Sequence, residues 1–162
     1  MFQIKLLILL LINISIISCS KYNSNINTTK YSLAYIAGEY DGLLLKNYLT
    51  NFLKSTDIYD KNSKYKIHAN INHSTNLYIT NADKTSSREK IVSNLKVTIN
   101  DKDKDCSLFE SNYSLSQFYI FASSDQFLSN QKAVKKIKKN NTEALVKKFF
   151  NEIDEIDLTC VK

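Results

Sequence analysis

Hydrophobic and polar positions recur with several different periods along this chain, and each period predicts an element. The first block, Leu6–Cys19 (LLILLLINISIISC), has no period and is apolar except for Asn13, Ser15 and Ser18. A bilayer crossing takes roughly 20 apolar residues, so the block falls short of one and has the length of a signal-peptide centre. Residues 21–30 (KYNSNINTTK) are polar and aperiodic and read as a tether. From Tyr31 to Ala37, Tyr31, Leu33 and Tyr35 alternate with Ser32, Ala34 and Ile36, predicting a strand with one face firmly buried. Gly38 falls where a strand-to-helix turn is needed. Tyr40–Lys54 switches to helical spacing, with Leu44, Leu45, Tyr48, Leu49 and Phe52 on one stripe and Gly42 a blemish near the start.

The second half of the chain returns to period two. After a turn-rich Ser55–Ser63, Lys64–Asn72 sets Tyr65, Ile67, Ala69 and Ile71 against Lys66, His68, Asn70 and Asn72, a half-exposed strand. Residues 73–87 are polar and irregular and predict a long loop, with a short strand at 77–79. Arg88–Asn100 alternates again, Asp101–Asp105 (DKDKD) reads as a charged hairpin turn, and Cys106–Phe121 continues as a strand bulged near Ser111–Ser114. Ser123 with Gln126 fits a capping box. The closing helix carries Ala133, Val134, Ile137, Asn141, Leu145, Phe149 and Ile153 on one stripe, and the weak helix formers Asn140 and Asn141 predict a kink. Strand, helix, strands and long helix make an α+β fold: a two-layer sandwich, with two helices packed on one face of a roughly four-stranded, mostly antiparallel sheet. The long basic helix has a second option, lying on a membrane. Its continuous stripe favours the sheet. The divisions expected are a leader over 1–18, a tether over 19–30, one domain over 31–153 and a tail over 154–162.

Composition narrows the chemistry. The 162 residues include 43% hydrophobic, so the chain can bury a core and wholesale disorder is excluded. With 2 Gly and 0 Pro, Gly-rich phosphate loops and Pro-rich linkers are excluded as well. The abundance of Lys, Asn, Ile and Tyr is what an AT-rich genome writes, so part of the formal charge of +6 reflects codon usage. Loss of Lys5 with the leader leaves a basic domain able to meet an anionic surface. Of the 3 Cys, Cys106 and Cys160 form an even pair in an oxidising compartment, either as a disulfide or as two free thiols.

The residues ahead of Cys19 are Ile16, Ile17 and Ser18. A branched aliphatic, then a small residue just before cysteine, resembles the lipobox of bacterial lipoproteins. That resemblance implies acylation of the Cys19 thiol, cleavage before it and acylation of the new amine. The other readings of Cys19 are a chance cysteine after an ordinary signal peptide, or a short membrane anchor. Acylation gives stable anchoring, since each buried methylene contributes about 0.8 kcal/mol and more than one chain is attached. Ser20 stands where Gram-negative lipoproteins retained at the inner membrane carry Asp, which implies an outer-membrane address.

Together with that leader, the element order resembles LptE, the lipoprotein of lipopolysaccharide (LPS) assembly. The resemblance is carried by REKIVSNLKVTINDKDKDCSLFESNYSLSQFYIFASS and the helix after it, from Asp125 to Ile153. It implies a non-catalytic protein lipid-anchored on the periplasmic side of the outer membrane, plugging an LptD-like β-barrel, assisting its assembly and contacting LPS. No cofactor is implied. Cations suited to LPS phosphates are Arg88, Lys90 and Lys96 on the central strand and Lys132, Lys135 and Lys136 on the helix. The plain alternative for each is a solvated surface charge. A competing assignment is an auxiliary binding lipoprotein of another envelope lipid-transport complex. There is no GxSxG, HExxH, CxxC or P-loop. His68 and His73 stand without a close carboxylate or cysteine set, so no metal site is expected. Basic and aromatic residues fall on opposite faces of the Lys64–His68 strand, against a nucleic-acid role.

Overall fold

The computed structural model describes residues 29–37, 39–79, 87–120 and 127–160. The leader with Cys19, most of the tether, Gly38, residues 80–86, the Ser123–Gln126 capping box and the last two residues lie outside them. Four strands form one sheet in the order β1-β2-β3-β4. They are β1 (Ser32–Leu33), β2 (Tyr65–Ile79), β3 (Ser87–Asp101) and β4 (Cys106–Ile120). β1 pairs parallel to β2, while β2, β3 and β4 are antiparallel. Two helices, α1 (Tyr40–Ser55) and α2 (Phe127–Glu152), cover one face, and a turn of 3-10 helix, Ile153–Glu155, follows α2. This is the α+β two-layer sandwich that the hydrophobic pattern predicts.

Alternation decides which side chains meet the helices. Ile67, Leu95, Val97, Ile99 and Tyr113 point inward from the strands and are at most 3% exposed. They meet Leu45, Leu49 and Leu53 of α1 and Leu145, Val146, Phe149 and Phe150 of α2 in one core. The two helices lie side by side and run the same way. Contacts between them advance in step: Asp41 with Lys138, Tyr48 with Glu143, then Phe52 stacked on Phe150 at 3.8 Å between ring centres. The C-terminal tail closes the end of the core nearest the DKDKD turn. Ile153 is buried there, and Ile156 and Leu158 pack against it. Cys160 is disulfide-bonded to Cys106, with Cα atoms 5.8 Å apart.

Several local expectations change. β2 runs through to Ile79, so 73–76 joins the strand expected at 77–79 and does not belong to a loop. Its polarity arises because one face meets water and the inward His73 has a polar partner. The bulge of β4 sits at Leu108, where pairing shifts between Ile99 with Phe109 and Asn100 with Ser107, and not at Ser111–Ser114. β1 is only two residues long, and the buried positions beyond it are Ala34 and Ile36 while Tyr35 is 91% exposed. Helix α2 is continuous across Asn140 and Asn141. Asn141 faces the sheet and its Nδ2 donates to Ser93 Oγ at 2.9 Å, which keeps the helix in register there. Gly42 is no blemish. A Cβ at that position would collide with the backbone carbonyl of Ala37, so only glycine lets α1 start this close to the preceding segment. In the DKDKD turn, the buried Asp101 carboxylate accepts from the Asp103 and Lys104 amides at 2.9 and 3.4 Å, and Asp105 takes a positive φ of 50°.

Candidate functional surfaces

The side of the sheet opposite the helices has no covering layer among the described residues. Its side chains come from the even-numbered positions of β2 and β3 and, past the bulge at Leu108, of β4. They include Asn70, Asn72, Asn94, Asn112, Ser114 and Ser116, all exposed. These polar rows have no drive to be buried against hydrocarbon and every means of bonding to water, sugar or phosphate, while Phe118 and Ile120 at the far end of β4 expose apolar surface on the same face. Three of the predicted cations, Arg88, Lys90 and Lys96, lie on it because all three have the same parity in β3. Lys90 Nζ stands 5.6 Å from the centre of the Phe118 ring, and Lys96 Nζ pairs with Glu110 at 2.5 Å. Beside Lys96, the exposed Tyr35 rises next to His68, Asn70 and Thr98, bounding a depression of about 330 Å³. Burial and the neighbouring Lys66 hold His68 below its ordinary pKa, so the ring is neutral at pH 7.

The other predicted cations sit in the helical layer. Lys132 and Lys136 are exposed, and Lys135 Nζ lies 4.5 Å from the centre of the Tyr40 ring. The structure therefore separates the six cations onto two sides of the sheet. Helical periodicity alone gave no means of placing α2 relative to the strands.

A second surface lies between the layers. Near the starts of α1 and α2 the helices and sheet part to leave a cleft of about 560 Å³, lined by Tyr40, Glu89, Tyr119, Phe127, Val134 and Lys138 among others. Its polar groups engage one another. The Tyr119 hydroxyl donates to Glu89, which with burial raises the phenol pKa, burial being the larger cause. Lys138 Nζ is 3.7 Å from Asp41. Below the cleft comes a polar layer, with His73 Nδ1 2.7 Å from Ser93 Oγ and Thr142 Oγ1 3.5 Å from His73 Nε2. Burial, the largest cause, holds His73 below its ordinary pKa; Lys138 adds to this and Asp41 opposes it. Sequence reasoning leaves this layer unseen, since a histidine, a serine and an asparagine 20 and 48 residues apart carry no common motif.

Among the described residues no group of three or more His, Cys, Asp or Glu is placed to hold a metal ion. No described helix is long and apolar enough to cross a membrane. No family model matches the chain and no curated protein matches it. Solved structures do. A minor lipoprotein from Acinetobacter baumannii superposes with a TM-score of 0.61 at 14% identity, covering 83% of this chain and 97% of that one. The rare lipoprotein B from Shewanella oneidensis gives a TM-score of 0.54 at 7% identity, covering 80% and 98%. At these identities the likeness is one of fold, and the fold is one that lipoproteins have.

Proposed function

We propose that this chain is a non-catalytic envelope lipoprotein of the LptE type. In this assignment acylated Cys19 tethers it to the periplasmic side of the outer membrane, an LptD-like barrel receives the folded domain, and the open sheet face contacts LPS. The observation that carries the proposal is the uncovered, polar and cationic sheet face in a fold shared with lipoproteins. A domain seated in a water-filled barrel needs a face that stays wetted while its other layer holds the core. The Asn and Ser rows on β2, β3 and β4 supply that face, and Arg88, Lys90 and Lys96 add positive charge for lipid A or core phosphates.

Co-expression with the LptD-like barrel from the same genome tests the partnership. A tag on this chain should bring the barrel down in a 1:1 complex after detergent extraction; recovery of the lone chain refutes it. Charge reversal at Arg88, Lys90 and Lys96 should lower LPS capture at least tenfold without changing the thermal midpoint. The same reversal at Lys132, Lys135 and Lys136 should leave LPS capture unchanged, and the opposite ranking would move the contact to the helical layer. Intact mass of the membrane-extracted protein should show a chain beginning at an acylated Cys19, and Cys19→Ser should retain the leader.

The cleft beneath α2 favours a second assignment, an auxiliary binding lipoprotein of another lipid-transport complex. Its apolar lining at about 560 Å³ has the size of a small-ligand pocket. Saturable binding of a fluorescent fatty acid, displaced when Val134→Trp fills the cleft, would support that assignment over the barrel partnership.

A further inference from the structure

β4 ends the sheet, and no described residue pairs with its outer edge. The opposite edge is covered by β1 only at Lys66 and Ile67, so among the described residues β2 beyond Ile67 is open as well. From Phe109 to Ile120, β4 stays in unbroken register with β3, so it presents outward a row of backbone N–H and C=O groups about 40 Å long. Exposed edges in folded proteins are guarded by lysine, proline, a bulge or shortness. This one has none of those devices along its length. The segment FESNYSLSQFYI contains no Lys, Gly or Pro and a single charge, Glu110. Its bulge, at Leu108, precedes the regular run.

The flanks of the edge specify what fits beside it. On the helical side Lys148 Nζ stands 5.5 Å from the centre of the Tyr113 ring. On the open side Lys90 overlies Phe118, and Phe118 and Ile120 are 56% and 73% exposed. The carboxylates nearby are engaged: Glu110 with Lys96, Glu152 with the Tyr113 hydroxyl at 2.7 Å, and Glu89 with the Tyr119 hydroxyl. An arriving strand therefore meets cations on both of its faces and apolar surface between them. A second copy of this chain would bring the same cations and the same engaged carboxylates, setting like charge against like.

We propose that the β4 edge accepts, as a fifth strand, an extended segment of the partner barrel's polypeptide that carries an acidic side chain on each of its two faces among apolar ones. The strand adds by main-chain hydrogen bonding, with Lys90 and Lys148 selecting its charge. This rests on the barrel partnership proposed above and names the contact that makes it.

The test is hydrogen exchange resolved to single amides, on the full chain alone and in its complex with the co-expressed barrel. In the free chain alternate amides between Glu110 and Ile120 should exchange fast, because they point outward. In the complex the same amides should slow at least 100-fold. A complex that forms while those amides stay fast overturns the strand addition and leaves the partnership standing; absence of any complex removes both. Outward amides already slow in the free monomer mean another segment of the same chain occupies the edge, and slow amides in a free dimer mean a second copy does; either result overturns the proposal. K90E/K148E should weaken the complex at least tenfold, and an unchanged Kd refutes the acidic occupant.

Discussion

Opening the Cys106–Cys160 disulfide should remove a large share of the stability of this domain. The bond joins residues 54 apart in sequence. Closing a loop of that length takes about 14 cal/mol/K of conformational entropy out of the unfolded chain, which is about 4 kcal/mol at 25 °C. Domains of this size are stable by roughly 5–15 kcal/mol, so the loss is a quarter of the total or more. A local effect adds to it. The bond holds down the tail whose Ile153 is buried and whose Ile156 and Leu158 pack on the core. Urea unfolding followed by far-ultraviolet circular dichroism, with and without a phosphine reductant, measures both. With a slope of about 2 kcal/mol per molar urea, the midpoint should fall by about 2 M, and Cys106→Ser with Cys160→Ser should reproduce the fall without reductant. A shift of only a few tenths of a molar, or free thiols in protein recovered from an oxidising compartment, would refute the reasoning.

Three more perturbations follow from single contacts. The buried Tyr31 hydroxyl meets no partner among the described residues, and burial, the largest cause, together with Asp154 and Tyr65 pushes its pKa up to about 12. Tyr31→Phe should therefore raise stability by about 1 kcal/mol, read as a higher thermal midpoint. Gly42→Ala drives a Cβ into the Ala37 carbonyl and should cost about 2 kcal/mol in the same melt, whereas Leu43→Ala, at an exposed position beside it, should cost far less. His73 has its pKa lowered in the folded chain, so the unfolded chain binds its proton first as pH drops. Its contribution to stability is complete above the unfolded pKa of about 6.5 and is lost as pH falls through the lower folded value. His73→Gln should flatten the decline in urea midpoint between pH 7.5 and 5.5, and an unchanged slope would exclude His73 as its source.

The hairpin of β3 and β4 was legible in the sequence because Leu95, Val97 and Ile99 alternate with Lys96 and Thr98 and DKDKD marks the turn with residues that suit it, although the bulge falls at Leu108 and not at Ser111–Ser114. The upper half of β2 was not legible. At His73 the inward position is polar, so the apolar beat that announces a strand falls silent while the backbone goes on pairing. Only the presence of Ser93 across the ladder, with Asn141 above it, makes a histidine acceptable there, and that pairing is tertiary. The Asn140–Asn141 pair misleads for the same reason: helix propensity penalises asparagine, but a buried hydrogen bond to Ser93 outweighs the penalty. On the candidate surface, parity alone put Arg88, Lys90 and Lys96 on one face of β3. The apolar odd positions mark the face that the helices cover; what no periodicity carries is where α1 and α2 lie along that face, and so where Lys132, Lys135 and Lys136 fall.

The parallel course of the two helices has an electrical consequence. Each helix carries about half an elementary charge of positive sign at its first turn and as much negative sign at its last, and here the two add where most bundles cancel them. Arg88, Lys90, Lys132 and Lys136 gather toward that same positive extreme, while Asp101, Asp103, Asp154, Glu155 and Asp157 lie at the other, where Lys64, Lys102 and Lys104 offset part of their charge. Lys30, through which the chain enters the fold, is bound to Asp57 at the acidic extreme. The domain is thus an electric dipole whose positive pole lies about 40 Å from the point where Lys30 enters the fold.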